Sequence, residues 1–353
     1  MSIVDVAKVA GVSIATVSRV MNHRLKVAPA TVKRVEDAMA KVGYAPPSAE
    51  RRVGRPRRSP SEIRTGNVAV LFPDLSSVAL RTPLSGRLLH GIEEALRNKG
   101  LHMLVTRLAG PDKLPPGLDT RRVDGMLIRR PEVALERMIA ELRQIPLVWL
   151  FEHAKLPLMG DVVAEDNRAC GQLAANYLWE RGNRKVAFIN LSPTHTSFRT
   201  RWFAFEETIR QLGASVEPIG PTTGDFAALS DAGKASLAAE QVDRLMSLAE
   251  PPTGIFVPGS DAQVIDVYRA LKNRGLQIGR DVDLVGGFND MNSLNVLDPN
   301  LPIIDIQAEA IGGAAVDMLL WRLRNPKEPQ RTLVVAPKLI GGRPAGDRIV
   351  AAS

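Results

Sequence analysis

Through the first forty-four positions apolar residues recur with the spacing of a helix, interrupted by small and polar residues at turn points. Ser2 precedes the first periodic stretch and Asp5 follows three residues on, so a helix starts there with an acidic group near its positive end. Val6, Val9 and Ala10 are expected on one face of this helix, and Gly11 ends it. Ser13 is placed to cap a second short helix whose Val17, Val20 and Met21 face inward. After a basic turn (His23, Arg24, Lys26), Pro29 opens a third helix carrying Val32, Val35, Met39 and Val42, and Gly43 closes it near Tyr44. Two short helices joined by a tight glycine turn make a helix-turn-helix, whose second helix is sized for the DNA major groove. The third would cover their apolar sides.

From Asn67 the pattern changes to short apolar runs alternating with helical periodicity. Strands are predicted at 68–72, 101–106, 123–128, 146–150, 186–190, 254–257, 282–286 and 333–336. Helices are predicted at 84–99, 131–143, from 167 to about 181, 198–212, 240–248, 262–274 and 311–323. Such alternation implies parallel sheets with right-handed crossovers, and this length calls for two lobes. The fold class is therefore α/β: a three-helix headpiece over 1–45, a linker over 46–65, and a two-lobed effector-binding and dimerisation domain over 66–349.

Composition adds little until charge is read by position. The chain has 353 residues, with 46 Lys+Arg against 38 Asp+Glu. Residues 1–65 hold 13 of the basic and 5 of the acidic residues, so the whole formal excess of +8 lies in that segment. A basic end on a neutral body is the electrostatic footprint of a nucleic-acid binder. Cys170, the one cysteine, excludes an internal disulfide and reads as a small core residue of a cytoplasmic protein. No run approaches the ~20 apolar residues of a membrane span, and no basic leader with an apolar stretch opens the chain. No membrane partner is expected.

The stretch D-V-A-K-V-A-G-V-S-I-A-T-V-S-R-V-M-N (5–22) resembles the start of LacI/GalR-type bacterial transcription repressors. The likeness continues through N-V-A-V-L-F-P-D, R-R-V-D-G-M-L-I, E-D-N-R-A-C-G, R-G-N-R-K-V-A-F-I, R-T-R-W-F-A-F and V-D-L-V-G-G-F-N-D. It implies a periplasmic-binding-protein-like body that takes a small-molecule effector between its lobes. It also implies a homodimer on a palindromic operator in double-stranded DNA, cytoplasmic and nucleoid-associated. Relatives that tetramerise do so through a leucine heptad tail, and residues 349–353 carry no heptads, which favours a dimer.

On the second helix Arg19 can fork onto a guanine edge, Ser13, Thr16 and Ser18 suit phosphates, and Asn22 closes the phrase. The two residues that the resemblance makes operator-discriminating are Ile14 and Ala15. Neither has a hydrogen-bonding group, so apolar contact, as with thymine methyls, is the expected readout. The linker lacks the hinge-helix pattern of the resembling family and instead holds Val53-Gly-Arg-Pro-Arg-Arg58, similar to the Gly-Arg-Pro core of an AT-hook. Arg55 and Arg57 are expected in a narrow A·T minor groove.

For the effector, the resemblance assigns the second arginine of R-T-R, Arg201, to ligand hydroxyls or a carboxylate, at the mouth of the C-terminal lobe. Loop candidates are Asp74, Phe226 as a stacking face, Ser260, Asp261 and Asn289. Many resembling chains have Asn at Ser260 and Asp at Asn289, so Glu152 or Asp290 is left to supply a carboxylate acceptor. The five histidines have no metal-ligand spacing, and no G-x-S-x-G or G-x-x-x-x-G-K-[ST] occurs. No cofactor, metal or catalytic residue is expected, and the function read here is a repressor controlled by a sugar or sugar derivative. The alternative is an extracytoplasmic-type solute-binding protein without a transcriptional role.

Overall fold

The computed structural model describes residues 2–21, 27–44, 63–73, 80, 82–108, 115, 118, 122–129, 142–151, 159–221, 229–288, 294, 297 and 300–342. The chain divides into two compact units, Met1–Ser59 and Pro60–Ser353.

In the first unit, helix α1 (Ile3–Ala10) starts where Asp5 folds back to accept the Ser2 backbone N–H at 2.8 Å. Gly11 stops it in the left-handed region, φ 63°, where a side chain would be strained. Helix α2 (Ile14–Met21) begins with the Thr16 N–H donating to Ser13 Oγ at 3.2 Å. Helix α3 (Pro29–Lys41) has its proline in the first turn. Val6, Ala7, Ala10, Val17, Val20, Val35 and Ala38 form the core, with Met21, Val32, Met39, Val42 and Tyr44 against it. One expectation fails here. Val9 is 47% exposed, and Ala7 takes its place, because the buried arc of α1 turns toward position 7.

The second unit contains two six-stranded sheets. The first runs β11-β5-β4-β3-β1-β2 and the second β12-β10-β9-β8-β6-β7. The first-sheet strands are β1 (Asn67–Phe72), β2 (His102–Arg107), β3 (Gly125–Arg129), β4 (Leu147–Leu150), β5 (Asp161–Glu165) and β11 (Thr332–Val335). The second has β6 (Lys185–Ile189), β7 (Ser215–Ile219), β8 (Gly254–Val257), β9 (Asp283–Gly286), β10 (Ile303–Asp305) and β12 (Lys338–Ile340). The described pairings are parallel except β12, which is antiparallel to β10. Val68–Phe72 are all buried, as a central parallel strand covered on both faces requires, while edge strand β2 is largely exposed.

Helices α4 (Pro83–Arg97) and α9 (Ala308–Arg324) pack together, and α9 lies on β3, β4 and β5. Helices α5 (Asn167–Glu180) and α6 (Thr196–Gln211) pack against each other, α5 on the second sheet, and α7 (Asp231–Met246) meets α8 (Asp261–Asn273). Glycines allow the close crossings. A Cβ at Gly312 would stand 2.6 Å from the Leu88 carbonyl oxygen, and one at Gly171 would strike the Arg201 carbonyl.

The chain passes between the sheets at three places: Asp166 after β5, Ile306–Gln307 after β10, and Ala336–Pro337 after β11. These passages are tied to one another. The Asp166 N–H donates to the Val335 carbonyl at 3.0 Å, and the Gln307 amide donates to the Ala336 carbonyl. Arg87 of α4 adds a fork onto Glu309 at 2.6 Å and lies 3.3 Å from Asp305, joining α4 and α9 to the end of β10. Among the described residues no helix is long and apolar enough to cross a membrane.

Most predicted elements lie within a few residues of those observed. The helix expected from 240 starts at Asp231, nine residues earlier, and β5, β7, β10 and β12 are additional. The expected helix over 131–143 falls largely outside the described residues.

Candidate functional site

Two places collect the candidates. The first is α2, where Val17 and Val20 turn inward while Ser13, Ile14 and Ala15 are exposed, Ile14 at 48%. An isoleucine left open on a helix with a buried apolar face is available for contact. Ser13 and Thr16 share a hydroxyl contact of 2.9 Å at the start of α2, and Ser18 is half-buried. Arg19 belongs to the same helix, but its side chain, like Asn22, Arg55 and Arg57, lies outside the described residues.

The second place is the junction of the two sheets. Arg201 lies in the second turn of α6 and is fully buried, rather than open at the mouth of the lobe, because strand ends from both sheets close over it. Its Nε donates to Asn167 Oδ1 at 2.9 Å and its Nη1 to the Pro258 carbonyl at 2.7 Å, with the Gly287 carbonyl at 3.3 Å. Asn167 follows β5, Pro258 follows β8 and Gly287 follows β9, so these contacts gather the carboxyl ends of parallel strands. The guanidinium also lies 4.5 Å from the Phe288 ring centroid and 5.7 Å from that of Phe198.

The carboxylate facing it is Glu165, the last residue of β5, 3% exposed, with Oε1 3.9 Å from Arg201 Nη2. The Asn167 amide donates to the same Oε1 at 3.2 Å. Arg201 Nη2 and Glu165 Oε2 have no hydrogen-bond partner. Burial pushes the Glu165 carboxyl above the usual carboxylate range, while Arg201, the backbone and Asn167 pull it back. Ser197 Oγ, at the start of α6, also makes no hydrogen bond of good geometry and favours the ionised glutamate. Cys170 lies nearby on α5, its thiol pushed up to about 11 by burial, which makes it a packing residue and not a nucleophile.

Ser260 is half-buried at the start of α8, and Asp261, its first residue, is fully buried, in the loop that supplies the Pro258 carbonyl. Asp74, Glu152, Phe226 and Asn289 lie outside the described residues. Among the described residues no group of His, Cys, Asp and Glu could hold a metal ion.

Residues 2–47 match the model of bacterial regulatory proteins, lacI family, and residues 175–343 match a periplasmic binding protein-like domain. The chain is 29% identical to the transcriptional repressor CytR of Escherichia coli over 91% of its own length and 89% of that protein's. It is 26% identical to the ribose operon repressor of Escherichia coli, covering 95% of this chain and 97% of that one. The chain carries a lacI-family regulatory domain and a periplasmic-binding-protein-like domain.

Solved structures share the fold over 97% of this chain. A CelR–cellobiose complex superposes with a TM-score of 0.64 at 22% identity, covering 97% of this chain and 98% of that one. The lac repressor dimer bound to operator and an anti-inducer gives 0.62 at 22% identity with the same coverage. Glu165 is the residue the sequence reading missed. Its signal was the charged start of E-D-N-R-A-C-G, directly after the apolar V-V-A of β5.

Proposed function

We propose that this chain is a sequence-specific transcriptional repressor that binds a palindromic operator in double-stranded DNA as a homodimer. It is controlled by a small-molecule effector, a sugar or sugar derivative, held between its two lobes at Arg201. The observation that carries this reading is α2, which turns Ile14 and Ala15 outward while Val17 and Val20 hold it to a separate core. Those two side chains meet base edges by apolar contact, Arg19 forks onto a guanine, and Ser13, Thr16, Ser18 and Asn22 serve phosphates. Arg55 and Arg57 run along the minor groove of the linker's A·T-rich site.

The body supports the rest. Leu104 and Val105, on opposite faces of edge strand β2, are each 41% exposed, so this edge offers apolar surface that a second copy would cover. The repressors to which the chain is similar, with a ribose operon repressor among them, support a sugar-type effector. Ser260 and Asp261 are further effector contacts on this reading, as are Asp74, Glu152, Phe226 and Asn289 from the sequence alone. The effector acts through unequal affinity for two arrangements of the lobes, and the protein works in the cytoplasm on the nucleoid.

Selection of bound fragments from random double-stranded DNA by the full chain tests the reading. A two-fold symmetric sequence with half-sites about one helical turn apart is expected. Arg19→Ala should then lose ~1–3 kcal/mol at one guanine position of that sequence. Enrichment of no sequence would refute the repressor reading, and equal weakening on selected and random DNA would remove Arg19 from base reading.

A further inference from the structure

The ion pair at the lobe junction is unusual in what it leaves open. Arg201 Nη2 is a buried donor without a partner and Glu165 Oε2 a buried acceptor without one, on the two halves of a single pair. Nη2 stands 3.9 Å from Oε1, too far for a direct hydrogen bond, and an open donor and an open acceptor on one such pair are filled by a group that accepts on one side and donates on the other. A hydroxyl does both, whereas a carboxylate or phosphate oxygen only accepts.

We propose that Glu165 is a specificity-determining residue of the effector cleft, restricting the effector to an uncharged polyol whose neighbouring hydroxyls bridge Arg201 Nη2 and Glu165 Oε2. This rests on the reading of Arg201 as the effector contact. When Glu165 is ionised beside a guanidinium that has 0% exposure, a ligand anion arriving at Arg201 meets a like charge in a medium of low dielectric. A neutral hydroxyl pair satisfies both open atoms and adds no charge. Ser197 Oγ, without a hydrogen bond of good geometry, offers a further hydroxyl beside the glutamate.

The experiment uses the full-length protein at about pH 8, where the glutamate is further toward its ionised form. Titration calorimetry and thermal unfolding compare D-ribose, D-xylose, D-glucose and D-galactose with their aldonic acids, and sodium sulfate at constant ionic strength serves as a bare anion. In the wild type a neutral sugar should bind at least about tenfold more tightly than its acid, and sulfate should give no saturable rise in Tm. In Glu165→Gln the acid should gain about tenfold or more and sulfate should stabilise saturably, a gain that adding Arg201→Gln removes. An acid that binds the wild type as tightly as its sugar would overturn the proposal. So would a Glu165→Gln variant that gains nothing from sulfate, which would leave the pair a structural, water-bridged one.

If no sugar of the set binds, the sulfate arm decides alone. If Glu165→Gln does not fold, as circular dichroism would report, the wild type decides: a saturable sulfate effect lost in Arg201→Gln overturns the proposal. The two readings fail differently. A sugar that keeps its affinity in Arg201→Gln removes Arg201 from the effector site. Loss of affinity there, with unchanged discrimination in Glu165→Gln, overturns the role of Glu165 only.

Discussion

The Arg201 guanidinium lies fully buried, and three carbonyl or amide oxygens and one carboxylate surround it. The cost of that arrangement is visible at Glu165, whose carboxyl is raised above its ordinary value chiefly by burial. A raised value in the folded state means the proton is held more tightly folded than unfolded. The stability from that proton is fully present below the ordinary glutamate value and is lost as pH rises through the raised one. Glu165→Gln cannot lose a proton. Its stability relative to the wild type should therefore climb as pH is taken from about 5 to about 9 in urea unfolding. A pH-independent difference would contradict the shift. The sequence made Arg201 findable through its R-T-R phrase but could not pair it with a residue thirty-six positions earlier, because only the crossing of β5 into α5 brings Glu165 to it.

At the scale of elements, adjacent glycines of α9 give opposite forecasts. Gly312 lies where α9 crosses α4, and a Cβ there would meet the Leu88 carbonyl oxygen at 2.6 Å and the Ile92 nitrogen at 2.9 Å. Gly313 has open space around the same position. Gly312→Ala should lose ~1–3 kcal/mol by overpacking, and Gly313→Ala should gain ~0.5–1 kcal/mol from lower backbone entropy in the unfolded chain. Urea unfolding of the two variants checks both signs, and equal effects would refute the crossing. Helices and central strands such as α4 and β1 were legible because their apolar spacing is continuous. Strands β7, S-V-E-P-I, and β10, only three residues long, carry too little pattern to be seen. The early part of α7, D-A-G-K-A-S, hides its helix behind small and polar residues.

For the whole molecule, the point where the linker enters the body matters most for transmission. The Asp124 carboxylate accepts from the backbone N–H groups of Arg64 (2.6 Å), Thr65 (3.0 Å) and Gly66 (2.7 Å), and from the Thr65 hydroxyl. This clasp fixes where any motion of the lobes begins to pull on the chain ahead of it. Asp124→Ala strands four donors, and the loss of ~1–3 kcal/mol would raise local opening by roughly 5- to 160-fold. Tryptic cleavage after Arg64, followed by mass spectrometry, should accelerate by that factor in the variant. An unchanged rate would show that the clasp does not hold the segment. The charge division at residue 65 was plain in the sequence, but the clasp was not, since Asp124 stands fifty-eight to sixty positions from the backbone it grips.

The three passages between the sheets have a consequence for how the protein is made. No stretch that ends before β11 contains a finished lobe. The first sheet waits for its edge strand β11 and its covering helix α9, both more than 140 residues after β5. At ~5–20 residues per second, an emerging chain holds that sheet unfinished for roughly 10–30 s. Its apolar face is exposed to chaperones and to other nascent chains throughout that time. A premature stop between β5 and β11 therefore releases no usable half-protein, only an incomplete sheet attached to a DNA-binding end.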